Sequence, residues 1–254
     1  MTDKVIVELR ERVLEVRLNR PEKRNALTIE MYEALIGAFE RAERDPEVRV
    51  LLLSGAGEGF TAGNDLNDFL RATQMEGPPA GFRFIKMLGS FSKPLIAAVH
   101  GATIGLGTTL LLHCDFVVAA RNTRLQFPFV NLGLVPEAAS TLLLPRLAGL
   151  QIASELLLLG EAFDAERGHA IGIVNRVVEE ADLIATARDI AAKIVARPPN
   201  AIRLTKRLLR RETDDVTTRM DVEMADFHAQ LTTPELQEAA TAFLRKRAPD
   251  FSKF

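Results

Sequence analysis

Cysteine is nearly absent: the 254 residues include one, Cys114, so no intrachain disulfide can form. Long apolar runs are missing too, with no stretch of about 18 uncharged apolar residues to span a bilayer. The first residues, MTDKVIVELRERVLEV, carry charges throughout and lack the apolar core of a signal peptide. Neither charge sign dominates. The 32 basic and 34 acidic side chains leave a net charge of −2, which draws the chain to neither nucleic acid nor an anionic membrane. The histidines (His100, His113, His169 and His228) are scattered, and none stands at metal-ligand spacing with another ligand. His113, Cys114 and Asp115 are consecutive, so their side chains diverge, and structural roles are expected for the first two. There is no zinc, iron or calcium motif, no P-loop Lys-Ser/Thr and no Gly-x-Ser-x-Gly elbow. A chain that is 47% apolar can still bury a sizeable core. A soluble cytoplasmic protein with no metal is the expectation.

The apolar patterning predicts α/β architecture. Val5–Leu9 and Val13–Leu18 read as a hairpin. Residues 25–44 read as a helix, with Thr28 as N-cap and Met31, Leu35, Ala38, Phe39 and Ala42 at helical spacing. Val48–Ser54, Pro94–His100 and Asp115–Ala120 read as buried parallel strands. Between them, residues 55–69 form a glycine-rich loop, 71–80 a mobile stretch and Phe82–Phe91 a helix. Gly101–Gly107 then reads as a tight loop and Thr108–Cys114 as a helix. Helix dominates beyond residue 136, with segments at Pro136–Leu147, Leu150–Leu159, Asp164–His169 and Ala185–Ala196. Pro198-Pro199 marks a boundary, and helices over Asn200–Arg211 and Thr217–Arg247 follow it. An α/β core over 1–195 and a helical section over 196–254 result.

Two glycine loops offer bare backbone N–H groups. "GATIGLGTT" (101–109) lacks the dinucleotide fingerprint, because the last glycine position holds Leu110 and no matching acid follows. It and "FTAGND" (60–65) suit an oxyanion as well as a phosphate, or are simply tight strand-to-helix turns. The basic run "RLTKRLLRR" (203–211) has Leu204, Leu208 and Leu209 at helical spacing. Without nearby aromatics it reads as an amphipathic helix with a solvated basic face, not a nucleic-acid site. In "FVNLGLVPEAAS" (129–140) a lone acid, Glu137, stands among Phe129, Val130, Leu132, Leu134 and Val135. It either opens a helix behind Pro136 or serves as a base in an apolar pocket.

Four segments occur in one order: "RPEKRNALT" (20–28), "GFTAGNDL" (59–66), "KPLIAAVHGATIGLGTTLLLHCDFVVAA" (93–120) and "LLLLGEAFDAERGHAIGIVNRVV" (156–178). With them the chain resembles the enoyl-CoA hydratase/isomerase, or crotonase, family over essentially its full length. The resemblance implies a spiral of ββα units with a C-terminal helical region, assembled as a homotrimer or a dimer of trimers. It implies an acyl-CoA thioester substrate whose carbonyl becomes an enolate, with coenzyme A as part of the substrate and no further cofactor. Two backbone N–H groups hold that oxygen in the family, and the matching positions are Asn64 and Leu106. For coenzyme A the resemblance points to the segment Lys23-Arg24-Asn25-Ala26, to the backbone at Ala62, Asp65 and Leu66, and to Lys246 with Phe243 beside the adenine. The stretch 71–80 would shape the acyl pocket.

The resemblance also separates reactions. Hydratases of the family use two glutamates, and the matching positions here hold Thr109 and Phe129, which exchange no protons near neutral pH. Pro128-Phe129, Leu132-Gly133, Pro136-Glu137, Ser140 and Leu106 look like the Δ3,Δ2-enoyl-CoA isomerase branch, where one glutamate does all the proton work. Glu137 would then move a proton from C2 to C4 of a 3-enoyl-CoA. Apolar neighbours (Phe129, Val130, Leu134) would raise its pKa and a helix start would lower it. Alternatives are another reaction on an acyl-CoA (a thioester hydrolase, a dehalogenase, a ring-opening lyase or a residual hydratase) and a non-catalytic acyl-CoA-binding protein.

Overall fold

Alternation along short β-branched segments builds a six-stranded sheet. In this computed structural model, residues 2–65, 68, 79–210, 233–235, 238, 241–242, 245, 247 and 249–254 are described. β1 (Val5–Arg10) and β2 (Val13–Leu18) form the predicted antiparallel hairpin. Then β3 (Val50–Gly55), β4 (Leu95–Val99), β6 (Phe116–Ala120) and β9 (Arg176–Val178) add in parallel, in the order β1-β2-β3-β4-β6-β9. Each central strand is apolar on both faces because both are covered. Leu51 and Leu53, Ala97 and Val99, and Val117 and Ala119 join the larger core. Val50 and Leu52, Ile96 and Ala98, and Val118 and Ala120 pack on the other face.

The helices follow from their apolar faces. α1 (Ile29–Arg44) is capped by Thr28, whose hydroxyl accepts from the Met31 N–H at 3.2 Å. It buries Met31, Leu35, Ala38, Phe39 and Ala42 as the spacing predicts, starting four residues after Asn25. α2 (Ala80–Ser90) places Phe84 edge-on to Phe39, with ring centroids 5.2 Å apart. Then come α3 (Leu106–Thr109), α4 (Ser140–Ala148), α5 (Leu150–Leu159), α6 (Ala165–Ala170), α7 (Leu183–Val195) and α8 (Pro199–Leu209). α7 covers the smaller core with Leu183, Ala187, Ile190 and Ala191. No helix among the described residues is long and apolar enough to cross a membrane.

Several expectations are corrected. Residues 101–107 are more than a loop, because β5 (Ala102–Ile104) lies within them. With β7 (Arg124–Gln126) and β8 (Ala162–Asp164) it forms a second sheet, ordered β5-β7-β8. Three residues are too few to display a period of two. The helix expected over Thr108–Cys114 is α3 followed by a 3-10 turn over Leu110–His113. The helix expected from Pro136 starts at Ser140, because Ala138 and Ala139 are both left-handed, each at φ 53°. The basic face over 203–211 is not all solvated. Lys206 is buried, with its ammonium 2.7 Å from Asp115 Oδ2, 2.6 Å from the Lys93 carbonyl and 5.3 Å from the centre of the Phe91 ring. Leu209, expected inside, is 79% exposed. Arg210 adds a 3.0 Å bond to Asp115 Oδ1, so α8 is tied to the foot of β6. The stretch 71–78 and most of the predicted helix over Thr217–Arg247 lie outside the described residues.

Candidate active site

The site forms beyond the carboxyl ends of β3 and β4, where ligands sit in open parallel sheets. Asn25 organises the approach. Its buried side chain donates to the carbonyls of Ala56 (2.8 Å) and Gly59 (2.9 Å) and accepts from Arg20 N–H at 2.8 Å. It therefore fastens segment 20–26 to the loop after β3, and its side chain faces the protein interior. Its neighbours Lys23 and Arg24 stay exposed.

That loop carries Asn64. Leu27 donates to the Gly63 carbonyl at 2.8 Å, and the Asp65 N–H donates to the Leu27 carbonyl at 2.9 Å. Along an extended segment this pairing turns the Asn64 N–H to the opposite side. Leu106 opens α3, so its N–H has no partner within the helix. The two loops abut. Thr61 N–H reaches the Ala102 carbonyl and Ile104 N–H the Thr61 carbonyl, each at 3.0 Å. A Cβ on Gly63, at φ +86°, would meet the Ile104 carbonyl at 2.9 Å, so glycine is required there for the close approach.

Three of the residues expected to hold coenzyme A can be placed by their bonds. The Ala62 N–H donates to Arg24 O at 2.9 Å and the Ala26 N–H to Lys23 O at 3.0 Å. Asp65 pairs its carboxylate with Arg20 at 2.8 Å, and its N–H is committed to Leu27. The N–H groups of Ala26, Ala62 and Asp65 are thus all used internally. Leu66, Phe243 and Lys246 lie outside the described residues.

Glu137 stands on the irregular segment before α4, and two donors hold its backbone. Ser140 gives both its N–H (3.0 Å) and its hydroxyl (2.7 Å) to the Glu137 carbonyl. His113 Nε2 lies 2.8 Å from the Ala138 carbonyl. Burial keeps His113 neutral by lowering its pKa, so it acts as a fixed donor to this turn. The left-handed alanines that follow cost about 1 kcal/mol each, and the clamped turn sustains them.

The Glu137 carboxyl points inward. Its Oε1 accepts a bond from the Thr109 hydroxyl, and its Oε2 is buried without a partner. Burial raises its pKa to about 7, against the lowering effect of the Thr109 bond. No helix start contributes, because α4 begins three residues later. The apolar wall is also smaller than expected. Phe129 is buried, but Val130 and Leu134 are 36% and 41% exposed, and Leu132 and Val135 lie further out at 63% and 82%.

Tyr32 joins these parts and was not predicted. Buried on the first turn of α1, it donates its hydroxyl to the Asn64 side-chain oxygen, and its ring packs 5.9 Å from Phe84. Burial first, and the Glu137 charge second, push its pKa well above the ordinary phenol value. One legible signal existed, for it is the chain's only tyrosine, four residues after the cap. Tyr32→Phe keeps the ring and loses the bond to the Asn64 loop. If Asn64 N–H is an oxyanion donor, kcat falls about tenfold with KM and the melting temperature nearly unchanged. Steady-state kinetics beside a thermal melt checks this.

Comparison with known proteins gives the family. The enoyl-CoA hydratase/isomerase family pattern matches residues 8–253. The chain belongs to that family. It is an acyl-CoA-processing enzyme with the crotonase fold. It is 36% identical to the 1,2-epoxyphenylacetyl-CoA isomerase of Escherichia coli over 99% of both chains. It is 35% identical to the short-chain-enoyl-CoA hydratase of Clostridium acetobutylicum, over 96% of this chain and 95% of that one. Among solved structures, it matches a putative enoyl-CoA hydratase/carnithine racemase from Magnetospirillum magneticum with a TM-score of 0.96. Identity there is 44% and coverage 100% of both chains.

Proposed function

We propose that this crotonase-family enzyme is an enoyl-CoA isomerase that moves a C3–C4 double bond to C2–C3 with Glu137 as its single acid/base. The carrying observation is the Glu137 carboxyl, with one oxygen held by Thr109 and the other buried and unpartnered. A 3-enoyl-CoA is acidic at C2, between a thioester and an alkene. Glu137 Oε2 takes a C2 proton, and the electron pair of that C–H bond spreads onto the thioester oxygen. The N–H groups of Asn64 and Leu106 stabilise that oxygen. The same carboxyl returns the proton at C4 and the conjugated product forms, with no water consumed. A pKa of about 7 suits both halves, since near neutral pH carboxylate and acid forms are both populated.

Hydration is disfavoured on residues. Thr109 and Phe129 occupy the positions where family hydratases carry their acids, and both are buried. Coenzyme A would be held by Lys23 and Arg24 at the surface, by the backbone carbonyls rather than the committed N–H groups of Ala26, Ala62 and Asp65, by the backbone of Leu66, and by Lys246 and Phe243. A second reading is favoured by the 36% identical epoxyphenylacetyl-CoA isomerase. A single buried carboxyl working with two oxyanion-holding N–H groups would also suit isomerisation of an epoxide beside an acyl-CoA.

The test is a parallel assay of purified protein on 3-hexenoyl-CoA, 2-hexenoyl-CoA and 1,2-epoxyphenylacetyl-CoA. Conjugation of the first with little hydration of the second is expected. Hydration of 2-hexenoyl-CoA without isomerisation sinks the proposal, and turnover of the epoxide alone moves it to the second reading.

A further inference from the structure

We propose that Thr109 is a positioning residue that confines the mobile proton to Oε2 of Glu137 by occupying Oε1. This rests on the reading of Glu137 as the base. Thr109 is fully buried at the end of α3, the short helix that Leu106 opens. Its hydroxyl has one proton and two acceptors in reach, Glu137 Oε1 and the Leu106 carbonyl at 3.3 Å. The carboxylate is the stronger acceptor and takes it.

This has a chemical consequence. A carboxylate has two equivalent oxygens, but a one-base isomerisation needs the oxygen that collects the C2 proton to deliver it to C4. A proton resting on Oε1 would face α3 and be lost to the reaction. The Thr109 hydrogen already occupies that side, while Oε2 has no other partner. The same bond ties the base to the helix whose first N–H is the proposed oxyanion donor, so base and donor move as one unit. It also favours the ionised form of a carboxyl that burial pushes toward the acid.

The variants are Thr109→Val, which keeps the shape and removes the hydroxyl, and Thr109→Ser, which keeps the hydroxyl. Glu137→Gln runs beside them. An infrared titration of the substrate-free protein follows the Glu137 carboxyl band, identified by its loss in Glu137→Gln. The wild-type midpoint is expected near 7. Thr109→Val should move it up by about one pH unit and lower kcat on 3-hexenoyl-CoA about tenfold with KM within twofold. Thr109→Ser should restore both. A Thr109→Val midpoint equal to wild type, or a Thr109→Ser variant as impaired as Thr109→Val, overturns the role of Thr109. The base assignment itself stands or falls separately, on whether Glu137→Gln retains wild-type turnover.

Discussion

Glu137→Gln is expected to lower turnover of 3-hexenoyl-CoA about a thousandfold while leaving acyl-CoA binding within a few-fold of wild type. Glutamine matches the carboxyl in size and can still accept the Thr109 hydroxyl, so the pocket persists and only proton transfer is lost. The wild-type dependence on pH follows from the same group. The proposed isomerisation starts from the carboxylate, so kcat/KM should rise with pH through about 7 and level off above it. Stability should move the opposite way. Between the ordinary carboxyl value of 4.5 and the folded value of about 7, the native state holds the proton more tightly than the unfolded chain. Raising the pH through that window removes up to about 3 kcal/mol of wild-type stability. The neutral glutamine escapes this loss. Glu137→Gln should therefore be about 2–3 kcal/mol more stable than wild type at pH 8 and equal to it below pH 4.5, by urea denaturation at both pH values. Undiminished turnover, or no stability gain at pH 8, refutes the buried-base assignment.

Gly101→Ala carries the largest expected cost to folding. Gly101 joins β4 to β5 at φ +51°, and a Cβ there would lie 1.9 Å from the Glu58 carbonyl oxygen and 3.0 Å from Gly59 Cα. Both obstacles are backbone. The flanking pairs, Phe60 N–H to His100 O at 2.8 Å and Thr61 N–H to Ala102 O at 3.0 Å, would have to separate. A loss of about 4 kcal/mol or more is expected. Gly89→Ala is the control. It lies in α2, where an added methyl would meet nothing within 4 Å, and alanine there should stabilise by about 0.5–1 kcal/mol. Urea midpoints of the two variants should fall on opposite sides of wild type.

The parts of this molecule legible in the sequence are those where local pattern and tertiary fate agree. The hairpin, α1 with its Thr28 cap, α5 and the three central strands fall within a few residues of their predicted bounds. β7, β8 and β9 are three residues each, and pairing alone makes them strands. The start of α4 is hidden because alanine does not announce a left-handed conformation, and only the clamp from Ser140 and His113 imposes it. Local pattern puts Lys206 in solvent because its half-buried partner, Asp115, is 91 residues away. Within the site, both N–H-bearing loops are visible as glycine patterns. The choice of Asn64 and Leu106 within them, and of Glu137 as a base, comes from family resemblance. Tyr32 and the contact of Thr109 with Glu137 require the fold, since each joins residues distant in sequence.

The contact between Thr109 and Glu137 also bears on how this family can change its chemistry over time. By the family resemblance, position 109 matches an acid of the hydratases, and here its side chain touches the carboxyl of Glu137. An acid added at 109 would meet a like charge in a buried site, and the two could not both stay ionised. The pair would hold one proton between them, so an acid gained at 109 would change the protonation of Glu137 rather than simply add a second base.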